Sequence, residues 1–244
     1  MSADNTSIGL VGSTTTQGGR VGPPPVFPTP IPAMSFTNQI ATCTAADNAF
    51  ILSANHQLGR IYEIRNDGAS YAQIFPPVGV QINAYGANAP AFIGVGAVLK
   101  LVAQTSTQWY TMGYTGPQPV ISVAANQVFT LGSNYSDCIL SLGSQAAGAL
   151  TINLPAPAQG LRYRFVQRVT NATNTCTIAA TGAICQMHAI NEDVTAQTTP
   201  FVANRTNLIL AATAPVGTYA EYICDGTSWY VTAVSRVHDT VTQS

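Results

Sequence analysis

A chain of 244 residues can hold one large or two ordinary domains and can bury a real core. Only 8% of its residues are charged, 9 Lys+Arg against 10 Asp+Glu, whereas soluble domains average about 25%. A net charge of −1 with a single lysine, Lys100, argues against nucleic-acid binding through clustered phosphate contacts, and so little mutual repulsion suits a protein that lives in an assembly.

The opening residues, Met1-Ser2-Ala3-Asp4-Asn5-Thr6, carry neither the basic nor the apolar region of a secretory leader, so export by that route is not expected. The apolar stretch 91–103 is broken by Gly94 and Gly96 and carries Lys100, so no membrane span is expected either. Residues 1–33 read as a flexible Gly/Pro-rich arm, because Pro removes backbone donors and Gly raises the entropic cost of order. Its segment Pro23, Pro24, Pro25, Val26, Phe27, Pro28 and Ile31 sets apolar side chains into an extended polyproline-type run, which makes it a candidate partner-docking arm; a terminus of no consequence is the alternative.

Residues 34–113 form a first module. Short β-prone runs follow one another at 50–53, 61–65, 72–75, 80–82, 97–103 and 109–112, most of them closely followed by Gly, Asn, Pro or Asp. No segment sustains a helical period without Gly or Pro. Tyr114-Thr115-Gly116-Pro117-Gln118-Pro119 reads as a connector, and residues 120–234 as a second module. There Leu150, Ile152 and Leu154 alternate with Thr151 and Asn153, and Leu161, Tyr163 and Phe165 with Arg162 and Arg164, the pattern of strands with one buried face. Residues 235–244 are polar and are expected to fray. The fold class expected is all-β: two tandem antiparallel β-sandwich modules, jelly-roll-like, behind the arm.

The modules share landmarks. Gly59 and Gly160 are 101 positions apart, as are Tyr62 and Tyr163, while Trp109 and Trp229 are 120 apart. With Gly79 paired to Gly182 and Leu101 to Leu210, the largest insertion in the second module falls around residues 214–223, which leaves room for an added strand there. Divergent duplication is the favoured explanation, with convergence of two generic β-modules as the alternative. At matched positions Glu63 replaces Arg164, and the opposite charges are expected either to be solvated or to pair between modules or copies.

No residue set announces a reaction. His56, His188 and His238 lack metal-motif spacing, Glu192-Asp193 supplies too few oxygens for calcium, and Gly94-Val95-Gly96 lacks the third glycine and helix of a nucleotide loop. No Gly-x-Ser-x-Gly elbow occurs. Neither a cofactor nor a metal is expected, and the chain is not read as an enzyme. The five cysteines, Cys43, Cys138, Cys176, Cys185 and Cys224, read as small buried thiols, with a Cys176–Cys185 bridge across a hairpin as the alternative. The endings Trp109-Tyr110 and Trp229-Tyr230 either close the two cores or form an aromatic surface for stacking on sugars.

The strand Leu161-Arg162-Tyr163-Arg164-Phe165 after a Pro-rich turn, the start Gly182-Ala183-Ile184 and the closure Asp225-Gly226-Thr227-Ser228-Trp229-Tyr230 resemble β-sandwich modules of virion structural proteins. Such modules occur in minor capsid and decoration proteins of large double-stranded DNA viruses and in fibre-type proteins of tailed phages. The resemblance covers about residues 47–234 and implies a structural component of a virus particle, a minor capsid, decoration or vertex protein made in the host cytoplasm and located in the virion. Its implied partners are other capsid proteins and copies of itself, as a homo-oligomer, trimer or pentamer. A receptor-binding or tail-associated module, or a carbohydrate-binding domain, is the alternative.

Overall fold

A computed structural model describes residues 37–40, 43, 49–54, 56–170, 173–180, 184–191, 202–235, 237 and 241–243. The candidate arm residues Pro23, Pro24, Pro25, Val26, Phe27, Pro28 and Ile31 lie outside these, as do His238 and the Glu192-Asp193 pair. The chain divides into two compact units, Met1–Pro119 and Val120–Ser244. Both are all-β. Among the described residues the sole helical turn is a 3-10 turn at Ser133–Tyr135.

The first unit contains β1 (Thr37–Ile40), β2 (Ala49–Ile51), β3 (Ile61–Asn66), β4 (Ala72–Phe75), β5 (Gln81–Ile82), β6 (Ala91–Ile93), β7 (Val98–Ala103) and β8 (Gln108–Thr115). One sheet has the order β1-β3-β7-β8-β5, the other β2-β4-β6. Both feed one core, in which Tyr62, Ile64, Leu101 and Trp109 of the larger sheet pack with Phe50, Ile74 and Ile93 of the smaller. Alternation is what permits this: Tyr62, Ile64 and Asn66 of β3 point inward while Ile61 and Arg65 are exposed. β8 runs on to Thr115, so the first two residues of the expected connector belong to the module.

The second unit contains β9 (Val120–Val123), β10 (Gln127–Thr130), β11 (Ile139–Leu142), β12 (Leu150–Asn153), β13 (Arg162–Gln167), β14 (Cys176–Ala179), β15 (Ile184–Asn191), β16 (Val202–Arg205), β17 (Asn207–Leu210), β18 (Tyr219–Cys224), β19 (Ser228–Ser235) and β20 (Val241–Gln243). Its sheets have the orders β16-β15-β19-β18-β13-β11-β9 and β10-β12-β14-β17-β20.

The expectation of purely antiparallel modules is corrected by the pairing. β1 runs parallel to β3, β2 to β4, and β5 to β8. In the second unit β9, β11 and β13 run parallel in one sheet, and β10, β12 and β14 in the other. Parallel neighbours need a crossover, and between β1 and β3, β2 and β4, and successive parallel strands from β9 to β14 that crossover is a single strand of the opposite sheet, so the chain winds from sheet to sheet like a solenoid before antiparallel strands close the module. The tail is corrected as well: β20 pairs antiparallel with β17 across 208–210, and Val241 is buried.

The correspondence between the modules extends to every ladder that the described residues of the first unit form. β1∥β3 corresponds to β11∥β13, β2∥β4 to β12∥β14, and β5∥β8 to β15∥β19. The antiparallel pairs β3/β7, β4/β6 and β7/β8 correspond to β13/β18, β14/β17 and β18/β19. Turns repeat too. Gly59 N donates to Ala103 O at 2.7 Å and Gly160 N to Cys224 O at 3.0 Å, with φ of +75° and +84°. Such φ values suit glycine. Among the described residues β9, β10, β16 and β20 of the second unit have no counterpart in the first. β18 is thus the counterpart of β7, and the added internal strand is β16, not one around residues 214–223.

Candidate functional site

Each unit closes on a tyrosine–tryptophan pair. Tyr62 and Trp109 have ring centroids 5.5 Å apart, Tyr163 and Trp229 5.6 Å apart, and both tryptophans are 0% exposed. The tyrosine hydroxyls remain satisfied: Gln57 N donates to Tyr62 at 2.7 Å, and Tyr163 donates to Gly132 O at 3.0 Å. Of the candidate aromatic surface, therefore, Trp109 and Trp229 are core, and only Tyr110 and Tyr230, 41% and 48% exposed, face outward. A tryptophan on strand residue i and a tyrosine on i+1 must point to opposite faces.

The outward face of the larger sheet is built in cross-strand rows. In the first unit Ile61, Val102 and Tyr110 share one row, and Glu63, Lys100 and Gly113 the next. In the second, Arg162, Ile223 and Tyr230 share a row beside Arg164, Glu221 and Thr232. Lys100 meets Glu63 at 3.4 Å and Arg164 meets Glu221 at 3.1 Å. Glu63 and Arg164 each find a partner on the neighbouring strand of their own module, so no pairing between modules or copies is needed to satisfy them. Around these pairs Ile61, Tyr110, Met112, Tyr219, Ile223 and Tyr230 are exposed apolar or aromatic side chains.

At the β18–β19 turn, Asp225 accepts from Ser228 N at 2.8 Å, Thr227 N at 2.8 Å, Thr227 Oγ1 at 2.9 Å and the Tyr230 hydroxyl at 2.9 Å. These donors hold its carboxyl well below the usual carboxylate range, the backbone N–H groups of Ser228 and Thr227 contributing most. Donation to Asp225, and then its negative charge, push the Tyr230 hydroxyl up. The carboxylate is fully occupied in ordering the turn.

Cys43, Cys138, Cys176 and Cys224 are buried free thiols. Burial pushes Cys138 and Cys176 up to about 12, with the charge of Asp137 adding to the effect at Cys138. Cys176 lies on β14 of one sheet and Cys185 on β15 of the other, so they do not face each other across a hairpin. His56 packs its ring edge against Trp109 with centroids 4.8 Å apart. Among the described residues no group of three His, Cys, Asp or Glu could hold a metal ion, and no helix is long and apolar enough to cross a membrane.

No family model matches the chain, and no curated protein matches it. Among solved structures it is similar to one of a chaperone-substrate complex, with a TM-score of 0.29 and 15% identity. That similarity covers 84% of this chain and 33% of the other, so the chain spans about a third of that chain's length.

The features that residue-by-residue reading missed are the exposed rows and the sheet edges. Both depend on register, which the sequence does not print. The one local signal was Glu63 standing at the position of Arg164.

Proposed function

We propose that the chain is a structural component of a virus particle, a minor capsid, decoration or vertex protein that acts by packing against other capsid proteins and copies of itself. The observation that carries this reading is the outward face of the larger sheet in both modules. Its apolar rows surround charges already paired within the module, Glu63 with Lys100 and Arg164 with Glu221. Burying the Glu63–Lys100 and Arg164–Glu221 rows against a neighbour strands no unpaired charge, while Arg162 in the row of Ile223 and Tyr230 is a cation the neighbour would have to meet. Exposed aromatic and Met side chains are the types enriched in interface cores. Within this reading each module is a sandwich-like brick whose two sheets share one core, with a wound connectivity in place of a jelly roll. No catalytic step is assigned to it, and its place is the virion.

The reading is tested by the native mass of the purified chain, measured by light scattering over a wide dilution series. A closed homo-oligomer, trimer or pentamer, that dissociates in Ile61→Asp or Tyr110→Asp supports packing through this face. A chain that is monomeric at every concentration counts against self-packing and leaves other capsid proteins as the partners to test.

A further inference from the structure

At one end of the second module's core the buried residues turn polar. Gln167, Thr218 and Ser235, 0%, 1% and 1% exposed, stand in one inward row across β13, β18 and β19. Gln167 N donates to Thr218 O at 2.8 Å, and the hydroxyls of Thr218 and Ser235 lie 3.2 Å apart. A fourth polar residue comes from the loop after β11. Ala146 and Ala147 of this loop are exposed, yet its Gln145 is 0% exposed. Hydrophobicity alone would bury the alanines and leave the glutamine in water.

Hydrogen bonds fix how the Gln145 amide lies. Its Nε2 donates to Gly143 O at 2.8 Å, and Gln167 Nε2 donates to the same oxygen at 3.0 Å, so both side chains end at one carbonyl. Exchanging nitrogen and oxygen in Gln145 would set two acceptors against each other. Its Oε1 is therefore turned away from Gly143, and it is buried with no donor among the described residues. An acceptor so buried calls for one. The first module fills the matching row differently. Asn66 stands at the place of Gln167, with its oxygen accepting from Gly68 N at 3.0 Å, and Ala97 and Gly116 stand at the places of Thr218 and Ser235. A Cβ on Gly116 would lie 2.7 Å from Ala97 Cα, so no hydroxyl fits there.

We infer that the second module binds one internal water molecule, which donates to Gln145 Oε1 beside the row Gln167–Thr218–Ser235. Water suits this place because it is neutral and can both donate to an amide oxygen and exchange hydrogen bonds with hydroxyls. A cation suits it less: every side chain around it is neutral, and Gly143 O already accepts two N–H groups. Held there, the water fastens the loop after β11 to the end of the core. This holds whether or not the protein belongs to a virus particle.

The test is a crystal structure of the full chain, at a resolution that shows ordered water, together with one of Gln145→Met. The parent should show a density peak about 2.8 Å from Gln145 Oε1, and the variant, which keeps the length of the side chain but not its amide, should lack it. The peak in the parent does not depend on the variant's folding. No peak there, a protein donor in its place, or a peak that persists in Gln145→Met would overturn the inference. Thermal unfolding in potassium, sodium and N-methylglucamine chloride at equal ionic strength should give one midpoint. A lower midpoint once both alkali cations are withdrawn would assign the site to a cation and exclude the water.

Discussion

Arg164 meets Glu221 at 3.1 Å across β13 and β18, in the register position where Glu63 meets Lys100 across β3 and β7 with the signs exchanged. A duplicated strand pair can reverse both charges and keep the contact, whereas a single reversal sets like charges directly opposite each other. The pairs are partly exposed, so each contributes no more than about 0.2–1 kcal/mol. Arg164→Glu should therefore lower the urea midpoint slightly, and adding Glu221→Arg should restore most of the loss. A double-mutant cycle in denaturant with no coupling would mean that the contact is incidental.

The tryptophans carry far more. Trp109 and Trp229 are wholly buried against Tyr62 and Tyr163, and truncating such a side chain costs about 3–5 kcal/mol. Trp229→Ala should lose that much stability in equilibrium unfolding, a large fraction of what a domain has. Tyr230→Ala, on the opposite face, should leave the core intact. If Trp229→Ala kept its stability and lost only binding to a glycan array, the core assignment would fail and the sugar-stacking reading would return.

What could be read from the sequence follows from how local each signal is. Strands β3 and β13 were legible because Tyr62/Ile64 and Tyr163/Phe165 alternate with polar residues, and that period survives without knowledge of any partner. The Gly59/Gly160 and Trp109/Trp229 correspondences were legible because a positive φ and a core ring each restrict the residue type. The parallel winding was not legible: Thr37 pairs with Glu63, and nothing near either residue names the other. For the same reason Leu101 was matched to Leu210 on chemistry alone. Register gives Tyr222 as the counterpart of Leu101, and Leu210 takes the place of Ile93. The exposed rows around Tyr110 and Tyr230 are properties of three strands at once, so they too emerged only with the pairing.

Asn66 ends β3 as a buried polar plug. Its amide donates toward Ser70 O at 2.8 Å and toward Ile93 O and Gly94 O at 3.2 Å, while its carbonyl oxygen accepts from Gly68 N at 3.0 Å. Gln167 holds the corresponding place at the end of β13, donating to Gly143 O at 3.0 Å and Val169 O at 2.6 Å. Removing such a side chain leaves buried backbone groups without partners, which costs about 1–3 kcal/mol. Asn66→Ala should lose that amount in equilibrium denaturation, and Asn66→Leu, which adds an apolar side chain of similar size, no less. A neutral Asn66→Ala would show that water replaces the plug.

Asp225 gives the protein an acid-sensitive turn. Its folded pKa lies below the unfolded value, which is about 3.9 for a free Asp side chain. The folded state therefore binds fewer protons than the unfolded state as pH drops below that value. The contribution of Asp225 is fully present above about pH 4 and is lost as the pH falls toward its folded pKa. Asp225→Asn should flatten this part of the acid limb of stability against pH, and Tyr230→Phe, which removes one of the donors to Asp225, should flatten it less. At the alkaline end the sign is reversed. The raised folded pKa of Tyr230 means that its contribution is present below its unfolded value of about 10 and disappears as the pH rises through the folded one. Thermal unfolding of the three proteins from acid to alkaline pH would separate the two limbs. An acid limb that is the same in Asp225→Asn and the parent would show that the turn does not set the acid response.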